Sequence, residues 1–171
     1  MLSGVIFESN GYRLLGRFYR ADGEGPHPTL VMAHGIAGVE LNLDLADALR
    51  DAGWNILVFH YRGCWGSEGP YRLTTLVEDV RAAVDWALAQ PAVDPHRLVL
   101  LGYSIGGWAA VLAAAQDPRP FALITLSTVS DLRAWTPDEA MLADWVRFMQ
   151  GMTVERLRED LRACAEGLQP V

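Results

Sequence analysis

Arg97-Leu98-Val99-Leu100-Leu101 runs directly into Gly102-Tyr103-Ser104-Ile105-Gly106-Gly107, and an alanine-rich helical stretch follows at once. A short apolar strand, a G-x-S-x-G turn and a helix are the parts of a nucleophile elbow, in which a sharp turn lifts a serine above the end of a sheet. The glycines have physical work there. Gly102 and Gly106 keep the neighbouring chain free of side-chain clashes in a strained turn. Gly107, Ala109, Ala110 and Ala113 give the next helix a thin face that can lie close on the sheet. The positive end of that helix points to where an oxyanion would form.

The remaining elements follow from spacing. Asn10-Gly11 between 5–9 and 12–20 is a hairpin signal. Residues 29–33 form a continuous apolar run, as in a strand buried on both faces. Leu41, Leu45, Ala48 and Leu49 recur at helical spacing, with Gly53 at the C-terminal cap. Strands are predicted over 55–59, before Ser104, and over 121–126. Between the first two, Thr75-x-x-Glu78 reads as a capping box before Leu76, Val80, Ala83, Val84 and Ala87. The order β-β-β-α-β-α-β-α-β predicts an α/β sandwich, a mostly parallel sheet with an antiparallel hairpin at its N-terminus. From about Asp131 the chain turns helical and aromatic. One helix is expected to start at Thr136-Pro137, and another to span 153–166.

Composition narrows the chemistry. All 14 basic residues are arginine, against 21 acidic ones, for a net charge of −7. The absence of lysine excludes a Schiff-base enzyme, a Walker-type phosphate loop and a Ser-Lys dyad. The negative balance argues against nucleic acid. No apolar stretch is long enough to span a membrane, and no leader-like h-region opens the chain. Cys64 and Cys164 form no C-x-x-C pair, which suits a reducing cytoplasm.

Two further segments bear on the serine. His34-Gly35-Ile36-Ala37-Gly38 closes the third strand, where the N–H of Ile36 can join that of Ile105 as an oxyanion donor. His34 is expected to hold this turn. Tyr61-Arg62-Gly63-Cys64-Trp65-Gly66-Ser67-Glu68-Gly69 is a surface turn able to wall a pocket, with Cys64 a spectator. The four histidines, His27, His34, His60 and His96, all precede Ser104. A serine hydroxyl is a weak nucleophile without an adjacent base. His60, at a strand end on the rim, is either a substitute base or an ordinary strand-end residue.

Over about residues 1–131 these three motifs together resemble those of α/β-hydrolases. Within that fold they resemble prolyl-oligopeptidase-like and acylaminoacyl-peptidase-like serine hydrolases. The resemblance implies Ser104 as nucleophile, the N–H groups of Ile36 and Ile105 as oxyanion hole, and Gly35, Tyr103 and Arg62 beside the substrate. It implies no metal and no cofactor. The family places an acid after a seventh strand and a histidine after an eighth, and neither strand is legible here. The chain is therefore expected to be a C-terminally truncated hydrolase core, 1–131, followed by 132–171 as the start of a helical cap. Its expected activity is cleavage of ester, amide or peptide bonds in small acyl or peptide substrates through an acyl-enzyme. The competing reading is a silent module used for binding or assembly. Without its neighbouring strand, 121–126 is expected to be an uncharged open edge that supports a homodimer.

Overall fold

The computed structural model describes residues 1–38 and 41–167. Asn10 and Gly11 both take positive φ, so β1 (Leu2–Ser9) folds back on β2 (Tyr12–Tyr19) with Ser9 opposite Tyr12. β2 pairs antiparallel with β4 (Asn55–Phe59), and every residue of β4 is buried. β3 (His27–Ala33), β4, β5 (Val93–Tyr103) and β6 (Ala122–Leu126) pair in parallel. The six-stranded order is β1-β2-β4-β3-β5-β6. This is the α/β sandwich with an N-terminal antiparallel hairpin that the element order predicts.

Helices cover the two faces unequally. α1 (Leu43–Asp51) covers a small core of Leu30, Met32, Ile56, Val58, Val99 and Leu101. α2 (Leu76–Leu88) and α3 (Ile105–Gln116) cover the larger core on the other face. β6 is the edge of the sheet among the described residues. Paired parallel residues share a face, so Ile124 and Leu126 lie on the α1 side beside Leu101 and Tyr103. They remain 45% and 38% exposed, because α1 sits over β4 and β2 rather than over this edge.

α4 (Glu139–Val146) and α5 (Val154–Gly167) complete the described chain. Across residue 131 the apolar packing is continuous: Leu132, Leu142, Met149, Met152, Leu157 and Cys164 join the larger core. The connection between the two helices is tied to the loop after β4. Gln150 N–H donates to the Gly63 carbonyl at 2.8 Å, and the Gln150 carbonyl accepts from Tyr71 N–H at 3.0 Å. On α5, the buried Asp160 accepts from Arg72 Nε and from Leu73 N–H, both at 2.9 Å.

Two helix starts differ from their sequence reading. A 3-10 turn, Leu73–Thr75, precedes α2 and leaves Thr75 at φ −110°, ψ −1°, outside the extended region a capping residue needs. Its hydroxyl donates to the Arg72 carbonyl instead, and Glu78 turns to Arg62. α4 begins at Glu139 rather than Thr136, because Asp138 is the residue whose carboxylate accepts from Met141 N–H, at 2.8 Å. The Thr153 start is as expected: its hydroxyl accepts from Arg156 N–H.

Candidate active site

Ser104 stands between the C-terminal end of β5 and the first turn of α3, half-buried, with φ 54° and ψ −122°. That conformation is outside the left-handed helical well and costs about 1–3 kcal/mol for a residue with a side chain. The turn is fixed from several sides. Ser104 N–H donates to the Leu126 carbonyl at 2.9 Å, and the Ser104 carbonyl accepts from Gly107 and Val129 N–H. A methyl on Gly102 would press on Gly107, and one on Gly107 would stand 2.9 Å from Thr128 Cβ. The strained elbow read from the pentapeptide is present. Ile105, as the first residue of α3, has an N–H with no carbonyl a turn behind it to reach.

The turn after β3 packs directly against this elbow. A methyl on Gly35 would lie 2.9 Å from Tyr103 Cδ1 and 3.3 Å from Ser104 Cβ. Gly35 and Tyr103 thus meet beside Ser104. Ile36 opens a 3-10 turn, Ile36–Gly38, in which Ala37 takes φ 63°. The amides of Ile36 and Ile105 begin the two elements that meet at this junction.

Beneath the turn lie two imidazoles in an apolar wall. His34 is buried, its ring 4.4 Å from Tyr61 and 5.5 Å from His60. Its Nδ1 donates to the Gly35 carbonyl at 2.7 Å, which leaves Nε2 buried without a partner. This is the loop-holding role expected of it. Burial pulls its pKa down to about 3, against the opposing pull of the Gly35 carbonyl. His60 is brought down to about 4 by burial and, secondarily, by Arg17. Both imidazoles are neutral at pH 7. Among the described residues no histidine, aspartate or glutamate bonds the Ser104 hydroxyl, and Asp131 is taken up by Arg133.

Arg62 is not at the substrate face where the resemblance puts it. Its side chain is 5% exposed and turns into α2, giving Nε to Asp79 at 2.7 Å and Nη2 to Glu78 at 2.6 Å. Asp79, buried, also accepts from Arg62 N–H at 3.0 Å and from the Ser9 hydroxyl at 2.7 Å. Burial raises the Asp79 carboxyl, and the Arg62 and Ser9 bonds oppose that rise. The reason for its burial is the buried Asp79, which among the described residues pairs with this guanidinium. Asp79→Ala, which strands Arg62 without its buried partner, is expected to lower stability by about 3–5 kcal/mol. A urea titration with an unchanged slope and a lower midpoint is the expected record; an unshifted midpoint contradicts it.

Two working residues escape a reading by motif. Asp79 shares the buried face of α2 with Leu76 and Ala83, and a charge at that spacing is a signal for a buried partner. Trp65 gives its indole N–H to the Ala37 carbonyl at 2.6 Å, a contact no local pattern announces. Cys64 is the expected spectator: buried, free, with its thiol pushed up to about 12 by burial. No cluster of metal-ligating side chains occurs among the described residues, and none of their helices is long and apolar enough to cross a membrane.

Comparison with known proteins bears on this geometry. The model of the alpha/beta hydrolase fold matches residues 28–168. An uncharacterized Mycobacterium tuberculosis protein is 34% identical over 148 residues, 82% of this chain and 52% of that relative. The quorum-quenching protein AidA of Acinetobacter baumannii is 35% identical over 133 residues, 74% of this chain and 44% of AidA. The chain therefore spans about half the length of the curated relatives it matches. Among solved structures, the 2,6-dihydroxy-pseudo-oxynicotine hydrolase superposes with TM-score 0.77 at 22% identity, covering 95% of this chain and 47% of that one. An α/β-hydrolase from Penicillium, GrgF, superposes with TM-score 0.72 at 24% identity over 100% of this chain and 57% of its own. Family model, relatives and topology agree: the chain belongs to the alpha/beta hydrolase fold family.

Proposed function

We propose that this hydrolase-fold chain carries the acylating half of a serine hydrolase, with Ser104 as nucleophile and the N–H groups of Ile36 and Ile105 as oxyanion donors. The observation that carries the reading is the positive-φ elbow at Ser104 with the Gly35 turn packed on its Cβ. In this reading Ser104 Oγ attacks the acyl carbon of an ester, amide or peptide and gives its proton to a base. The carbonyl oxygen becomes an oxyanion between the two amides, the leaving group departs with a proton, and water then cleaves the acyl-enzyme. Gly35 and Tyr103 form the wall nearest the acyl group. In this reading a general base and an orienting acid complete the site. Within the family we favour the prolyl-oligopeptidase-like and acylaminoacyl-peptidase-like branch on the same three motifs, with α4 and α5 as the start of a cap. The quorum-quenching relative keeps small signalling molecules among the substrates to test. Cys64 and Cys164, both buried and outside any disulfide, support a reducing, cytoplasmic setting.

A fluorophosphonate probe tests the nucleophile. Phosphonylation forms an Oγ–P bond at Ser104 and releases fluoride and a proton, and peptide mass spectrometry locates the adduct. Wild-type protein is expected to label at Ser104, slowly, and Ser104→Ala not at all. Turnover of p-nitrophenyl acetate is expected to be weak, near the ~10³–10⁴-fold residual acceleration that an oxyanion hole and binding give without a base. Labelling that survives in Ser104→Ala, or that is absent from wild type, overturns the assignment.

A second reading, assembly, has its own observation. Phe121, Leu123, Ile124 and Leu126 are all exposed along the β6 edge, and the strand carries no charge. Uncharged, open edges pair with other chains. The protein is expected to sediment as a dimer at micromolar concentration and Ile124→Lys as a monomer. A wild-type monomer rejects this reading.

A further inference from the structure

We propose that Trp65 is a positioning residue that sets the Ile36–Gly38 turn and couples its geometry to the α4–α5 segment. This rests on the reading of Ile36 N–H as an oxyanion donor.

Three observations converge on this indole. First, Trp65 sits at φ 49°, a conformation rare for a bulky side chain, so its placement is held by its surroundings. Second, its Nε1–H donates to the carbonyl of Ala37 at 2.6 Å, and Ala37 is itself a non-glycine residue at φ 63°. Two left-handed residues on different loops are thus joined by one hydrogen bond. The same edge of the ring lies against the turn: a methyl on Gly38 would stand 3.0 Å from Trp65 Cδ1 and from Nε1. Third, the indole stacks on Phe148 at 5.6 Å with the rings 19° apart.

Phe148 belongs to the connection after α4, and its neighbours are fastened to the neighbours of Trp65. Met149 bridges Cys64, and Gln150 bonds Gly63 and Tyr71 through its backbone. α4 itself contacts the Ile36–Gly38 turn. A path of direct contacts therefore runs from the helical segment through Phe148 and Trp65 to the Ala37 carbonyl. Rotation of that carbonyl moves the peptide planes on either side of it, because successive planes share only two soft dihedrals. The Ile36 amide belongs to the same short turn. Removing the indole N–H frees the Ala37 carbonyl; removing the Phe148 ring frees the indole. Both changes should loosen the turn without touching Ser104 or either donor.

The test uses the full chain with Trp65→Phe, which keeps a ring on Phe148 and deletes the donor, and Phe148→Leu, which deletes the stack. Hydrogen exchange in peptides covering 34–38 is the first readout, since Gly38 N–H is protected by the Gly35 carbonyl at 3.2 Å. Trp65→Phe is expected to speed exchange there by about tenfold while β5 peptides are unchanged. The second readout separates the fluorophosphonate inactivation constant kinact from the binding constant KI. Loss of one oxyanion donor costs about 10²–10³ in rate, so a displaced donor should lower kinact by about 10–100-fold with KI within about twofold. Phe148→Leu should move both readouts the same way, less far. Unchanged exchange at 34–38 overturns the coupling, and faster exchange that includes β5 reduces Trp65 to a general stabiliser. Faster exchange at the turn with unchanged kinact overturns the positioning role. A wild-type protein that does not label defeats the nucleophile reading instead, and exchange alone then decides whether Trp65 sets the turn.

Discussion

Gly106→Ala is expected to yield no cooperatively folded protein. A methyl at this position falls on the carbonyl oxygens of Ala33 and His34 and lies 2.7 Å from the Ala33 carbonyl carbon. All of these are backbone atoms at the end of β3, a strand paired on both sides by β4 and β5. No side chain can rotate out of the way. Relief requires lifting the start of α3 from the sheet, which uncovers Ile105, Trp108, Ala109 and Leu112. Each large side chain among them contributes about 1.5–3 kcal/mol by its burial. Two or three such losses approach the ~5–15 kcal/mol that holds a domain together. Gly4→Ala is the matched control, since nothing lies within 4 Å of a methyl there. Thermal melting by circular dichroism should show a normal transition for Gly4→Ala and none for Gly106→Ala. A Gly106→Ala melt within a few degrees of wild type contradicts this account of the elbow.

The same glycine shows how far the sequence carries. Gly102, Ser104, Gly106 and Gly107 act within a few residues of one another, so a strand, a turn and a helix in immediate succession reveal the elbow. β4 was legible because a strand buried on both faces is a short apolar run, and the α5 start because Thr153 caps it locally. What escaped depends on partners far along the chain. Arg62 is exposed or buried according to Asp79, 17 residues on. Thr75 fails as a cap because a 3-10 turn precedes it, and that turn is anchored by Asp160, 87 residues beyond Leu73. Trp65 meets Ala37 across 28 residues. Periodicity reports which face is buried but not which polar group waits inside.

Acid lability is the other large expected effect, and its pH window separates it from ordinary carboxylate titration. In the unfolded chain His34 and His60 take up protons near 6.5. In the folded protein His34 resists protonation down to about 3 and His60 down to about 4, chiefly through burial. Both folded values lie below the unfolded one, so the unfolded state binds more protons throughout the interval between them. Stability is then fully present above pH 6.5 and is lost progressively as the pH falls toward 4. Each histidine removes about 1.4 kcal/mol per pH unit in that interval, or about 4 kcal/mol for the pair at pH 5. The carboxylates that arginines hold below their usual range, such as Asp94 and Asp117, stay ionised there and contribute no loss until lower pH. The structural reason is the unpartnered Nε2 of His34: a proton added there gains a charge and a donor with no acceptor to meet it. His34→Asn keeps a side-chain N–H for the Gly35 carbonyl and has no proton to gain. Urea unfolding at pH 7, 6 and 5 should show wild-type stability falling steeply and the His34→Asn slope about half as large. Equal wild-type stability at pH 7 and pH 5 means that these imidazoles reach water when charged, and that the turn beside Ser104 opens far more easily than its packing implies.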